Sequence, residues 1–121
     1  MLHDTITFAV DFDGTLYLGG GFPSIVPDSW NGPLVTEIMR LQSQRPNDKW
    51  ILWTCRTGLD LEMAVQALNR LPIKWDAIND NTSECKRRYG CNPRKVIADI
   101  YIDDCAISVS DACKRLQQIQ K

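Results

Sequence analysis

Asp11 and Asp13 stand two residues apart where an apolar run, Ile6 to Val10, comes to its end, and Gly14 follows at once. Alternate side chains of an extended chain share a face, so both carboxylates point one way and Phe12 the other. Gly14 lets the backbone turn sharply just beyond them. Two carboxylates at one edge can hold a divalent cation, or one can attack while the other moves protons. Asp103 and Asp104 end another mostly apolar run and add a second acidic pair. Gathering three or four carboxylates is costly unless a cation or shared protons offset the repulsion. Oxygen ligands without histidine or cysteine point to magnesium rather than zinc.

A site of this kind needs groups for an anionic substrate. Thr54 closes the run Trp50 to Trp53 and can offer a hydroxyl and a backbone N–H. Lys95 precedes the run leading to Asp103 and can reach the same rim as a point charge. Cys55, Arg56 and the start of the following helix add packing and donors beside Thr54. Carboxylate nucleophile, magnesium, hydroxyl and lysine together make a set for phosphoryl transfer.

The elements that must position these residues can be read from the pattern of apolar positions. Ile6–Val10, Trp50–Trp53 and Val96–Ile102 read as buried strands, and Ile73–Ile78 holds a third, shorter one in chain order. Pro33 suits the first turn of a helix opening at Asn31, with Leu34, Ile38 and Leu41 on its apolar face and Pro46 as its stop. Thr57 to Asp60 resembles a capping box for a second helix, whose Leu61, Val65, Leu68 and Leu71 recur at helical spacing. Ser83–Tyr89 reads as a polar helix ended by Gly90, and Ser110–Ile119 as a last helix with Ala112, Leu116 and Ile119 on one side. Gly19 to Gly21 read as a flexible tip. Strands apolar throughout and alternating with helices predict a parallel sheet covered on both faces. Ligands bind such sheets outside the carboxyl ends of the strands, where Asp11, Asp13, Thr54, Asp103 and Asp104 all fall.

Composition narrows the classes. The chain has 121 residues, 44% of them hydrophobic, enough for one domain with one core, here 1–121. A formal net charge of -1 argues against wholesale binding to nucleic acid or an anionic membrane. No apolar run is long enough for a membrane span, and Met1 to Asp4 lack a signal-peptide basic region, so a cytoplasmic protein is the expectation. Cysteines number five, without a Cys-x-x-Cys pair, and His3 is the one histidine. Buried or half-buried free thiols are therefore expected, rather than disulfides, zinc or a histidine-activated nucleophile.

The motif residues carry a resemblance. Val10-Asp11-Phe12-Asp13-Gly14-Thr15-Leu16 resembles the first motif of the haloacid dehalogenase superfamily, Ile51-Leu52-Trp53-Thr54 the second, Lys95 the third, and Tyr101-Ile102-Asp103-Asp104 the acidic fourth. They occur in the family's order across most of the chain. The resemblance implies a Rossmann-like α/β three-layer sandwich with a mostly parallel sheet, and magnesium as cofactor. Asp11 would attack phosphorus and bind the metal. Asp13 would protonate the leaving group, then activate water, with its carbonyl on the metal. Thr54 would hold a phosphoryl oxygen, Lys95 would neutralise phosphate and nucleophile, and Asp103 with Asp104 would complete the metal site. An acid at Asp13 favours a phosphatase over a dehalogenase or phosphonatase. Lys86 is the alternative third-motif lysine, and Asp99 an additional fourth-motif carboxylate.

The segments between motifs are too short for a cap domain, so the resemblance is to small capless members. An open site suits a large or extended phosphorylated substrate, unless an oligomer covers it. Lys86, Arg87, Arg88, Arg94 and Lys95 could steer a polyanion, which keeps a nucleic-acid end phosphatase in view; a solvated basic face is the favoured reading. A phosphate- and magnesium-binding protein with little turnover is the competing class. The intact Asp13 counts against it, because binding alone needs no general acid.

Overall fold

The computed structural model describes residues 5–119. Four strands, β1 (Thr7–Val10), β2 (Lys49–Leu52), β3 (Ala77–Ile78) and β4 (Ile100–Ile102), alternate with helices α1 (Gly32–Gln44), α2 (Gly58–Leu68), α3 (Ser83–Tyr89) and α4 (Val109–Gln117). The sheet order is β3-β2-β1-β4 and every pairing is parallel. The chain is thus the α/β three-layer, Rossmann-like sandwich expected, with β1 between its two motif-bearing neighbours. Val10 is in register with both Leu52 and Ile102, so all three strands end at one rim. No folded unit is inserted between β1 and α1 among the described residues.

Alternation along β1 and β2 builds two unequal cores. Phe8, Val10, Trp50 and Leu52 face α1 and α2, where Val35, Ile38, Ala64 and Leu68 complete the larger cluster. Phe8 stacks on Trp50 with centroids 4.1 Å apart. Ala9 and Ile51 face the other way and pack on Val96, with Trp53, Ala77 and Ala98 around them. On that side Glu84 of α3 pairs with Lys49 at 3.0 Å. The helix ends follow local chemistry. Asn31 Oδ1 accepts Leu34 N–H at 3.3 Å with Pro33 in the first turn of α1, and Thr82 Oγ1 accepts Cys85 N–H at 3.3 Å at α3. Gly90 ends α3 at φ 67°.

Several expectations are corrected. The strand expected from Val96 is only Ile100–Ile102. Side chains take its first half out of the ladder: Asn81 Oδ1 accepts Ile97 N–H at 2.6 Å, and the Tyr101 hydroxyl donates to Val96 O at 2.6 Å. The strand expected within Ile73–Ile78 is reduced to Ala77–Ile78. The Thr57 capping box does not form: Thr57 makes no side-chain cap bond, and the next residue, Gly58, stands at φ 54°. Leu116 and Ile119 are exposed: α4 adds no residue to either core cluster, and Ile119 lines a surface hollow with Cys105 to Ile107. The glycine-rich tip is organised around the Tyr17 hydroxyl, which accepts Val26 N–H at 2.7 Å and donates toward Gly20 O at 3.1 Å. A side chain at Gly19 would strike the Tyr17 ring. Finally, Cys55, Cys91, Cys105 and Cys113 are exposed and Cys85 is half-buried; all five are free thiols.

Candidate active site at the carboxyl ends of the strands

Asp11 follows β1 directly, and its N–H donates to Ile102 O at 2.9 Å, continuing the β1–β4 ladder to the rim. Its Oδ2 accepts the Thr15 hydroxyl at 3.2 Å, and Thr15 Oγ1 accepts Asp104 N–H at 3.1 Å. One buried hydroxyl therefore ties the two acidic pairs together across 89 positions of sequence. Gly14 has φ 81°, and a side chain there would collide with the Asp104 carboxylate. The turn after Asp13 needs glycine twice over, for its backbone and for the acid that presses on it.

Burial pushes the Asp11 carboxyl up to about 6. The charges of Asp103 and Asp104 add to that, while the Phe12 N–H and the Thr15 hydroxyl pull the other way. Asp103, Asp104 and Cys105 bring ligand atoms within 4.8 Å of one another, all exposed. The Cys105 thiol is raised, by the Asp104 charge first and its hydrogen bond next, so it resists becoming a thiolate ligand. The donors that remain in that cluster, on Asp103 and Asp104, are carboxylate oxygens, and Asp11 lies near enough to feel both charges, which suits a hard cation such as Mg2+.

Asp13 is held differently. Arg56 Nε donates to its Oδ2 at 2.7 Å and Nη2 to its Oδ1 at 2.8 Å. Both of its carboxylate oxygens are therefore engaged by Arg56, and it is not part of the Asp103–Asp104–Cys105 group. Arg56 itself was expected to offer donors to substrate. It is 1% exposed, and Nη1 donates to Pro23 O at 2.9 Å and Asp60 O at 3.2 Å. Its guanidinium faces inward and does not bind substrate.

Thr54 lies at the rim as expected, with a correction to its donors. Its N–H goes to Asn79 Oδ1 at 2.8 Å, and its hydroxyl oxygen accepts Arg56 N–H at 3.2 Å. The hydroxyl proton remains to donate. Cys55 is exposed beside it. Lys95 is exposed and its ammonium stands 5.2 Å from the Tyr101 ring centroid. Tyr101 pairs with Ala9, and two residues farther along the paired strands come Asp103 and Asp11, so Lys95 shares their sheet face. Lys86 is paired with Asp80 at 2.6 Å. Neither lysine forms an ion pair with Asp11 or Asp13 among the described residues. Asp99 lies at the opposite end, where its Oδ2 accepts Thr7 N–H at 2.8 Å, and so takes no part in the rim.

Two contributors escaped the sequence reading. Thr15 was seen only as part of a motif. Asn79, at φ 52°, grips the loop after β2 from both sides, through Thr54 N–H and, by its Nδ2, Arg56 O at 3.1 Å. The run Asn79-Asp80-Asn81 was a signal for a structured turn.

A solved structure of a conserved protein from Bacteroides thetaiotaomicron is similar to this chain at 26% identity and a TM-score of 0.66, over 98% of this chain and 94% of that one. No protein-family model matches the chain, and neither does any curated protein. No described helix is long and apolar enough to cross a membrane.

Proposed function

We propose that the chain is a magnesium-dependent phosphohydrolase of the haloacid dehalogenase type, acting on a phosphomonoester through an aspartyl-phosphate at Asp11. The observation that carries this reading is the Asp11–Thr15–Asp104 linkage, which brings the Asp11 carboxylate and a second acidic pair to one rim. The ordered motifs, with Thr54 at the same rim and Lys95 on the same sheet face, support it.

In the first half-reaction an Asp11 oxygen attacks phosphorus and the bond to the leaving oxygen breaks, with Asp13 supplying the proton that oxygen takes up. In the second, water attacks the phosphoryl group, Asp13 accepts its proton, and the bond to Asp11 breaks to release phosphate and the free carboxylate. The Thr15 hydroxyl orients Asp11. The Thr54 hydroxyl donates to a phosphoryl oxygen, and Lys95 adds positive charge after a side-chain swing from Tyr101. Mg2+, held by Asp11, Asp103, Asp104 and the Asp13 carbonyl, would offset the charge of carboxylates and phosphate.

The test is phosphate release from sugar phosphates, nucleotides and phosphorylated oligonucleotides, with Mg2+ or EDTA, by wild type and Asp11→Asn. Release requiring both Mg2+ and Asp11 is the expected outcome. Release that survives the substitution rejects Asp11 as nucleophile, and no release from folded protein rejects turnover altogether.

A further inference from the structure

Arg56 is the most constrained side chain near the rim. Its backbone is held on one side by the Thr54 hydroxyl and on the other by Asn79. Its guanidinium lies between two rings, 5.1 Å from the Phe12 centroid and 4.8 Å from that of Phe22. Phe12 is buried, whereas Phe22 is 61% exposed and belongs to the segment between β1 and α1. Pro23 O, on the same segment, accepts Nη1. The donors left over, Nε and Nη2, meet the two Asp13 oxygens as a fork. A two-point bond of this kind fixes the plane of the carboxylate as well as its position.

Each Asp13 oxygen accepts one N–H from Arg56 and keeps a further lone pair. The acid form can thus carry its proton on a free lone pair toward a leaving group, and the carboxylate can accept one from water, while both oxygens stay on the fork. Proton transfer demands close placement, so what sets the carboxylate plane sets the rate of that step.

We propose that Arg56 is a positioning residue for Asp13, and that Phe22 and Pro23 form the outer half of its seat. This rests on the phosphohydrolase reading above and deepens it. The segment around Phe22 then governs proton delivery to the leaving group rather than capture of the phosphate. Substrates whose leaving group needs a proton depend on it, and those with an acidic leaving group do not. The Phe22 ring is the natural handle, because it is exposed and its removal spares the buried fork.

The experiment compares kcat/KM for an alkyl phosphate, glycerol phosphate, with that for 4-nitrophenyl phosphate, in Mg2+. The proteins are wild type, Phe22→Ala, Arg56→Lys, Asp13→Asn, and Phe22→Ala and Arg56→Lys each combined with Asp13→Asn. The alkyl-to-aryl ratio should fall about 10-fold in Phe22→Ala and up to about 100-fold in Arg56→Lys, within the range of a general acid's contribution. In the Asp13→Asn background both changes should leave the ratio unmoved, since the group they position is gone. A ratio within about twofold of wild type in Phe22→Ala, with the protein folded and Asp11-dependent, overturns the positioning role alone. So does a ratio that shifts as much with Asp13→Asn present as without it. A wild type inactive on both esters removes the phosphohydrolase reading instead, and this proposal with it. Phe22→Ala keeps the test decisive if Arg56→Lys fails to fold.

Discussion

The two acidic pairs meet at one rim but are built in opposite ways. Asp11 and Asp13 are half-buried, and the carboxylate of each accepts from a buried side chain, Thr15 or Arg56. Asp103 and Asp104 are exposed; among the described residues Asp103 accepts the nearby Cys105 N–H, at 2.8 Å, and Asp104 is anchored by its backbone to Thr15. Groups that attack or transfer protons need fixed direction. Groups that bind a hard cation need charge, and the cation itself supplies the order. On the proposed reading, the contrast assigns the chemistry to the first pair and only cation binding to the second.

Removing a reacting group should do the most damage. Asp11→Asn should abolish Mg2+-dependent phosphate release, and Asp13→Asn should lower kcat by about 10²–10⁴-fold, both read in a steady-state assay. If both losses can be recovered by raising Mg2+, the first pair is a binding pair and the contrast fails. Changes in the second pair should act through the metal. Asp103→Asn or Asp104→Asn should raise the Mg2+ concentration for half-maximal release by roughly 10–100-fold, with kcat restored at saturation. A kcat that stays low at saturating Mg2+ would move these residues into the reacting set.

The hydroxyl joining the pairs should register in stability. Thr15→Val leaves Asp104 N–H and the Asp11 oxygen without their shared partner, costing about 1–3 kcal/mol by urea melt. A loss below a few tenths would mean the linkage is incidental.

A smaller effect follows from pH. The Asp11 carboxyl is raised from 3.8 to about 6, so between those values the folded chain binds more proton than the unfolded one. Its contribution to stability therefore falls as pH rises through that window. Metal-free protein melted across that range should show this slope, and Asp11→Asn or saturating Mg2+ should flatten it. A difference of opposite sign between wild type and Asp11→Asn would mean that burial does not raise the Asp11 carboxyl.

The rim was legible in the sequence because buried strands are apolar to their last residue and the acids stand just past it. Parallel pairing followed from strands apolar on both faces. What stayed hidden depends on partners far apart in the chain. Nothing local to Arg56 marks it as the partner of Asp13, 43 positions away. The apolar spacing of Val96 to Ile102 looks like a strand, yet the side chains of Asn81 and Tyr101 claim half of it. Likewise Leu116 and Ile119 have helical spacing but no facing layer, since β4 is the sheet edge.

The most direct test of the central claim is to trap the intermediate. The protein would be mixed with a turned-over phosphoester and Mg2+, quenched in acid, and reduced with borohydride, which converts an aspartyl-phosphate to homoserine. Peptide mass spectrometry would then locate the change. Homoserine at position 11, absent without Mg2+ or substrate, is the predicted result. Homoserine at 13, 103 or 104, or turnover by an Asp11→Asn protein that traps nothing, would contradict it.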